Sequence, residues 1–179
     1  EPILDVADDV DTWNASNIQS AGGCFLIVGD LIYIYCSARG GTDGQTMEFS
    51  TGLATMRRDG FASMDVRAGD RPGVLTTYPV CFRGSHLFVN VVVPPPGCLT
   101  VDVLDAEGLS IPPLSSDNCI AVTGDKTTAA VKWRGGTDLS HLAGTAVRFR
   151  FTLDSGSIYA FWVSPRETGA SQGYVAAGG

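Results

Sequence analysis

The sequence predicts an all-β fold: an antiparallel β-sandwich of the jelly-roll or Greek-key kind, preceded by a hairpin-rich, propeller-blade-like segment. Apolar and polar residues alternate with a period of two along much of the chain, as in strands with one buried face. Gly, Pro, Asp and Ser separate these stretches at short intervals, which is typical of an antiparallel sandwich. Helical signal is nearly absent, and residues 137–144 are long enough for only a single turn.

The composition is that of a globular protein with an acidic surface. The chain has 179 residues, of which 44% are hydrophobic and 17% charged, and its formal net charge is −7. An acidic chain without a basic stripe is a poor partner for nucleic acid or for an anionic membrane surface. No apolar run approaches the roughly 18 residues that a membrane-spanning helix requires. We therefore expect neither nucleic acid nor membrane as a partner, and the residues indicate no cofactor and no metal site.

The segment GGCFLIVGDLIYIYC, residues 22–36, predicts a β-hairpin whose surface is unusual. Gly29 and Asp30 form a two-residue turn signal between two apolar runs, and this turn places Val28 opposite Leu31. Both faces of the resulting hairpin are apolar. A hairpin with one face in water would alternate polar and apolar residues, so we expect both sides of this one to be covered.

Residues 1–58 are therefore predicted to form a propeller-blade-like β segment, and residues 59–179 a β-sandwich domain. A sheet that is apolar on both faces is typical of a propeller blade, which is stacked between neighbouring blades. The expected cover is either missing upstream blades or a second chain that packs on residues 24–36. The alternative interpretation places the hairpin in the middle of one large sandwich, flanked by the second sheet and by loops.

Three later stretches show the alternation that predicts strands with one buried face. Their inward positions are predicted to be Leu99, Val101, Val103, Ala129, Val131, Trp133, Val147, Phe149, Phe151 and Leu153. In the last apolar run, Trp162 is in phase with Ile158 and Ala160, so we predict that it also lies in the core. Tyr159 is predicted to face the other way.

Five cysteines leave at least one thiol unpaired within the chain. Cys24 and Cys36 look like a cross-strand pair, but a two-residue loop places them on opposite faces, and a disulfide between them requires a three-residue loop. The other three cysteines lie in or beside apolar strands and are predicted to be buried free thiols. Asn14 begins the sequon Asn-Ala-Ser and is a predicted glycosylation site, which matters only in a secreted or extracellular protein.

Six segments of the chain, taken in their order along the sequence, resemble those of a known protein family. They are SNIQSAGGCFLIVGDLIYIYCSAR, STGLATMRRDGFASMD, LTTYPVCFRGSHLFVNV, LTVDVLDAEG, VKWRGGTDLSHLAGTAVRFRF and IYAFWVSP. Together they resemble the C-terminal part of glycoside hydrolases of the invertase and levanase type, in which a five-bladed propeller is followed by a β-sandwich.

The resemblance implies that residues 1–58 come from the last propeller blade and that residues 59–175 form the appended sandwich. In these hydrolases the nucleophile Asp and the acid Glu lie on the propeller, in motifs near NDPNG and EC, and neither motif occurs in this sequence. No catalytic residue is therefore assigned. We expect an accessory portion of a secreted or extracellular glycoside hydrolase-like protein, which supports the catalytic propeller or binds glycans.

The expected partner is a carbohydrate, and the candidate residues for binding it are polar and aromatic side chains near the hairpin. The first strand of a propeller blade lies nearest the central axis, so Asn17, Gln19 and Arg39 are predicted to hydrogen-bond sugar hydroxyls at one edge. Trp13 lies in a polar stretch and is predicted near the surface, where its ring can stack on a sugar. Two other hypotheses stay open: a free-standing lectin without a catalytic partner, and a structural or assembly domain that uses the hairpin as a subunit interface.

Overall fold

The computed structural model of the chain describes residues 4–9, 12–20, 22, 25–40, 48–136 and 138–171. The described part is all-β and its strands pair in antiparallel sheets, which confirms the predicted fold class. The chain divides into two compact units, unit 1 (Glu1–Arg58) and unit 2 (Asp59–Gly179). Among the described residues, no helix has the length and apolar character needed to cross a membrane.

Unit 1 contains one four-stranded antiparallel sheet. Its strands are β1 (Asn17–Ser20), β2 (Leu26–Val28), β3 (Leu31–Gly40) and β4 (Glu48–Arg57). The long strand β3 is central: β1 and β2 pair with its two ends along one side, and β4 pairs with its whole length along the other. A four-stranded sheet of this kind is compatible with a propeller blade, which stays a prediction.

The predicted hairpin is confirmed. Val28 pairs with Leu31 and Leu26 with Tyr33, as the two-residue turn requires. Gly29 has a φ of 61°, a left-handed conformation that glycine adopts without steric cost. Cys24 lies outside the described residues, so its predicted position is not described, whereas Cys36 is buried and carries a free thiol.

The two faces of the unit 1 sheet differ in exposure. Ile32, Ile34, Cys36 and Ala38 alternate along β3, point to one face and are buried. Besides Phe49, the opposite face exposes five neighbouring large apolar side chains, each with 39–48% of its surface accessible. This apolar patch consists of Leu26, Val28, Leu31, Tyr35 and Leu53. Within the described chain, therefore, one side of the hairpin sheet is covered and the other is open.

Unit 2 contains a four-stranded, a three-stranded and a two-stranded antiparallel sheet. Its strands are β5 (Met64–Val66), β6 (Gly73–Thr76), β7 (His86–Val93), β8 (Leu99–Leu104), β9 (Cys119–Ile120), β10 (Gly124–Ala130), β11 (Lys132–Trp133), β12 (Arg148–Leu153) and β13 (Gly156–Ser164). The strand orders are β10-β7-β13-β5, β6-β12-β8 and β11-β9. The one described helical element is a 3-10 turn at Ser140–Leu142, inside the stretch predicted to hold a single turn.

The core of unit 2 lies between its two larger sheets. Phe161 of β13 packs against Phe149 and Phe151 of β12, with ring centroids 5.7 and 5.1 Å apart, so side chains from both sheets share one core. The predicted inward positions of the three alternating stretches are all buried. Trp133 is among them, and its indole N–H donates to the Val101 carbonyl at 2.9 Å. Period-two alternation therefore identified this core correctly.

The prediction that Trp162 lies in this core is wrong. Its ring lies on the outer face of β13 and stacks on Phe88, with 5.7 Å between the ring centroids. The indole N–H donates to the Gly169 carbonyl at 2.9 Å. The neighbouring Phe161 enters the core instead.

A β-bulge in β13 causes this inversion. Ile158 pairs with Val91 and Ala160 with the adjacent Asn90, so Tyr159 is an extra residue on the bulged strand. Side chains alternate across a strand, and one extra residue moves every later side chain to the other face. An extrapolation that starts at Ile158 therefore assigns the rest of β13 to the wrong face.

The prediction that the later cysteines are all buried is correct for one of them. Cys119 is buried, and its sulfur accepts a hydrogen bond from the Val101 backbone N–H at 3.3 Å. Cys98 is half-buried, and Cys81 is exposed. Cys81 directly follows Val80, which forms an isolated bridge to Val147. Cys81 itself does not belong to a strand.

Candidate functional site

The exposed face of unit 1 carries a group of polar side chains next to the apolar patch. In the register of the sheet, Arg39 pairs with Asn17 on one side and with Phe49 on the other. One step along the same face, Ser37 pairs with Gln19 and with Thr51. Paired residues project to the same face of a sheet, so these six side chains form two rows of three. We call them the polar cluster: Asn17, Gln19, Ser37, Arg39, Phe49 and Thr51.

The centre of the polar cluster is the contact between Arg39 and Phe49. The guanidinium carbon lies 5.0 Å from the ring centroid, which is cation–π geometry. The Phe49 ring is 73% exposed, so most of its surface is open to solvent although Arg39 lies over it. Beside it, the Gln19 side-chain amide donates to the Ser37 hydroxyl at 3.5 Å, a long bond that leaves both groups able to bind a ligand. The six side chains line a shallow depression.

The structure brings together three of the four residues predicted for carbohydrate binding. Asn17, Gln19 and Arg39 all belong to the polar cluster. Trp13 lies elsewhere: it is partly exposed as predicted, but its ring packs over Gly52. Gly52 pairs with the buried Cys36, so Trp13 lies on the buried face of the sheet. A tryptophan on the opposite face does not share a ligand with the polar cluster.

Phe49, Ser37 and Thr51 were missed by the sequence analysis. Phe49 is the aromatic residue nearest to the predicted polar side chains, yet residues 41–47 separate it from β3 along the sequence. Its position next to Arg39 follows from the ten-residue register between β3 and β4. The available signal was the alternation of Phe49, Thr51 and Leu53, which places all three on one face of a strand.

The predicted glycosylation site Asn14 is half-buried in the segment before β1. Its side-chain nitrogen donates to the Asp5 carbonyl at 3.3 Å. This nitrogen is the atom to which a glycan would be attached, and glycosylation would leave it a single N–H with which to donate.

Among the described cysteines, the pKa is raised most at Cys98 of unit 2. The Cys98 sulfur and the Asp154 carboxylate are 3.0 Å apart, and the Cys98 backbone N–H donates to the same oxygen at 3.2 Å. The hydrogen bond to Asp154 and partial burial raise the pKa of Cys98 to about 11. Burial also raises the pKa of Cys119. Both effects keep these thiols protonated near neutral pH and therefore poor nucleophiles.

Unit 2 also has an apolar cleft at one edge of its two larger sheets. Its walls are formed by Met64, Asp65, Val66, Gly73, Val74, Leu75, Phe151, Leu153 and Ile158. The only charged group there is Asp65, whose carboxylate accepts hydrogen bonds from the hydroxyls of Ser157 and Ser63, and these lower its pKa. The cleft therefore offers few polar groups with which to orient a ligand, in contrast to the polar cluster.

Comparisons with known proteins add no relative to these observations. No protein-family model, no curated protein and no solved structure matches the chain. Among the described residues, no group of three or more His, Cys, Asp or Glu side chains is placed to hold a metal ion. The function is therefore inferred from the chemistry of the polar cluster and of the apolar patch.

Proposed function

We propose that this chain is a carbohydrate-binding accessory portion of a glycoside hydrolase-like protein, and that the polar cluster of unit 1 is its sugar-binding surface. The observation that carries the proposal is the Arg39–Phe49 contact, flanked by two amide and two hydroxyl side chains on one sheet face. The resemblance of the ordered segments to hydrolases of the invertase and levanase type supports the accessory role.

The chemistry of the polar cluster matches that of a sugar. A pyranose or furanose ring has an apolar face of C–H groups, which packs well on an exposed aromatic ring such as Phe49. Its hydroxyls both donate and accept hydrogen bonds, and the amides of Asn17 and Gln19 can do the same. Arg39 adds a fork of N–H donors, and its contact with Phe49 limits the orientations of both side chains.

The accessory role assigns recognition to this chain and chemistry to another part of the parent protein. Retaining glycoside hydrolysis requires two carboxyl groups about 5 Å apart. The polar cluster contains amides, hydroxyls, a guanidinium and a phenyl ring, and no carboxyl group. Its residues are therefore suited to holding a saccharide and not to cleaving it.

The proposal is tested by binding of the full chain to a panel of neutral and acidic polysaccharides in affinity electrophoresis. We expect retardation by at least one polysaccharide. Phe49→Ala is expected to lose about two- to tenfold in affinity, since an aromatic contact is worth roughly 0.5–1.5 kcal/mol. The matched control is Tyr78→Ala, because Tyr78 is an aromatic residue of unit 2 that is 89% exposed. Migration that no polysaccharide changes would overturn the proposal, as would equal losses in the two variants.

The apolar patch favours a second candidate function, in assembly. Five large apolar side chains are exposed together on the same sheet as the polar cluster. Contiguous apolar surface of this kind is typical of interaction sites. The assembly proposal is that another β sheet, either further blades of the parent protein or a second copy of this chain, packs on residues 24–36.

A further inference from the structure

The exposed face of the unit 1 sheet has an unusual charge composition. Its described strand residues include two arginines, Arg39 and Arg57, and no carboxylate. The chain as a whole has 19 acidic and 12 basic residues. Among the described strand residues of this face, therefore, no carboxylate lies beside Arg39, and a guanidinium in such surroundings attracts anions.

The hydrogen-bonding groups of the polar cluster are also biased towards donors. Arg39 has five N–H donors and no acceptor, and each amide has two further N–H donors. The acceptors are limited to the amide and hydroxyl oxygens of Asn17, Gln19, Ser37 and Thr51. Each hydroxyl of a neutral sugar presents an O–H donor beside its two acceptor lone pairs, and that donor finds no acceptor on a guanidinium. A carboxylate or a sulfate ester presents acceptors alone and complements it.

Arg39 is placed to bind such an anion. It lies in the central strand β3, between Asn17 and Phe49 in one row across the sheet. The Phe49 ring lies 5.0 Å below the guanidinium carbon and restricts its motion. A planar guanidinium held in this way offers two parallel N–H bonds to a carboxylate or sulfate, a geometry that lysine lacks.

We propose that the ligand of the polar cluster is an anionic saccharide, one that carries a uronate carboxylate or a sulfate ester bound by Arg39. This inference rests on the proposed function, namely that the polar cluster binds carbohydrate. It adds the substrate class: the anionic group binds the guanidinium, and the sugar hydroxyls bind the flanking amides and hydroxyls.

The first experiment compares ligands that differ only in charge. Binding of the full chain is measured by calorimetry with an oligogalacturonate and its methyl ester, and with a sulfated galactan oligosaccharide and its desulfated form. We expect one anionic ligand to bind about tenfold or more tightly than its neutral counterpart, because hydrogen bonds to charged groups are the stronger ones. The two ligand pairs show whether the anion is a carboxylate or a sulfate. We also expect the preference to weaken as salt is raised.

The possible outcomes distinguish a failure of this inference from a failure of the proposed function. If a neutral sugar binds as tightly as its charged counterpart, the polar cluster binds carbohydrate but the inference about charge is wrong. If neither charged nor neutral saccharides bind, the proposed function itself is wrong.

The second experiment tests the role of Arg39. Arg39→Gln replaces the guanidinium by a neutral amide that still forms hydrogen bonds, and is expected to reduce the affinity for the anionic ligand to that of its neutral counterpart. Arg39→Lys keeps the charge and loses the bidentate geometry, so we expect an intermediate affinity. The matched control is Arg150→Gln in unit 2, which removes the same charge from a different sheet. Equal effects of Arg39→Gln and Arg150→Gln would show that net charge, and not the polar cluster, determines binding.

Discussion

At the residue scale, one carboxylate, that of Asp154, raises the pKa of the Cys98 thiol. Asp154 accepts hydrogen bonds from both the sulfur and the backbone N–H of Cys98. A thiolate at this position would lose the S–H donor and would face a negative charge, so the protonated form is favoured and the pKa rises to about 11. Since the folded pKa lies above the unfolded value, this thiol contributes stability below about pH 9 and loses the contribution as the pH rises towards 11.

The first prediction concerns the reactivity of this thiol. Iodoacetamide alkylation of Cys98 in the folded protein, followed by peptide mass spectrometry, is expected to accelerate only near pH 11, because the thiolate is the nucleophile. In Asp154→Asn the carboxylate charge is removed, and we expect the midpoint of the pH profile to fall by about one pH unit or more. Identical profiles in the two proteins would contradict the role given to Asp154.

The second prediction concerns the packing of Trp13 on Gly52. A Cβ atom at position 52 would overlap the Trp13 ring, because the ring occupies the space that a side chain would fill. We expect Gly52→Ala to lower the free energy of unfolding by about 1–3 kcal/mol, the usual cost of an overpacked site. Urea denaturation measures the change. Gly22→Ala is the matched control, because a Cβ at Gly22 meets no atom within 4 Å, and a similar loss in both variants would contradict the packing role of Trp13.

At the scale of elements, regular strands were predictable and irregular ones were not. The hairpin register followed from the Gly29-Asp30 turn because loop length fixes which residues pair. The face of β13 after Ile158 did not follow, because the extra residue in the bulge is an ordinary strand former, Tyr159, which gives no turn or glycine signal. Periodicity therefore holds up to the first bulge, and the position of a bulge depends on the partner strand.

The same distinction applies to the candidate site. Asn17, Gln19 and Arg39 could be grouped from the sequence because they flank one hairpin, whose strands are close in the chain. Phe49 could not be added, because its place beside Arg39 depends on the pairing of β3 with β4. Trp13 was grouped with them by proximity in sequence, although the chain before β1 carries it to the opposite face.

The third prediction concerns the segment that follows β13. The Ser164 hydroxyl donates to the Ala170 carbonyl at 2.7 Å, and Gly169, with a φ of 77°, packs against Phe88 and Thr128. We expect Gly169→Ala to displace this segment and to increase amide hydrogen exchange over residues 165–171, since its Cβ would overlap both neighbours.

The control for this variant separates steric overlap from backbone strain. Gly144 also has a positive φ, 79°, but a Cβ at that position would meet no atom within 4 Å. Both alanine variants therefore carry the cost of a left-handed residue, which is about 1 kcal/mol. Only Gly169→Ala adds a collision. Equal exchange over residues 165–171 in the two variants would show that packing on Phe88 does not hold the segment in place.

At the scale of the whole molecule, the two units differ in how fully they bury their apolar surface. Among the described residues, the buried members of the unit 2 core all lie between Leu87 and Ile158, so this unit encloses a core of its own. Unit 1 buries one face of its sheet and exposes the other. The exposed face combines an apolar patch with the polar cluster, so this one sheet carries both proposed binding surfaces.

The last prediction tests the apolar patch in the intact chain. We expect the native protein to bind the dye anilinonaphthalene sulfonate, and Leu31→Ser with Leu53→Ser to reduce that binding and any concentration-dependent rise in mass in sedimentation. Both leucines are substantially exposed, so the double variant is expected to change the free energy of unfolding by no more than about 1 kcal/mol. Leu109→Ser, at an exposed leucine of unit 2, is the matched control. If the double variant binds dye and self-associates like the parent while Leu109→Ser does not, the interaction surface lies on unit 2, and the hairpin sheet of unit 1 has no role in assembly.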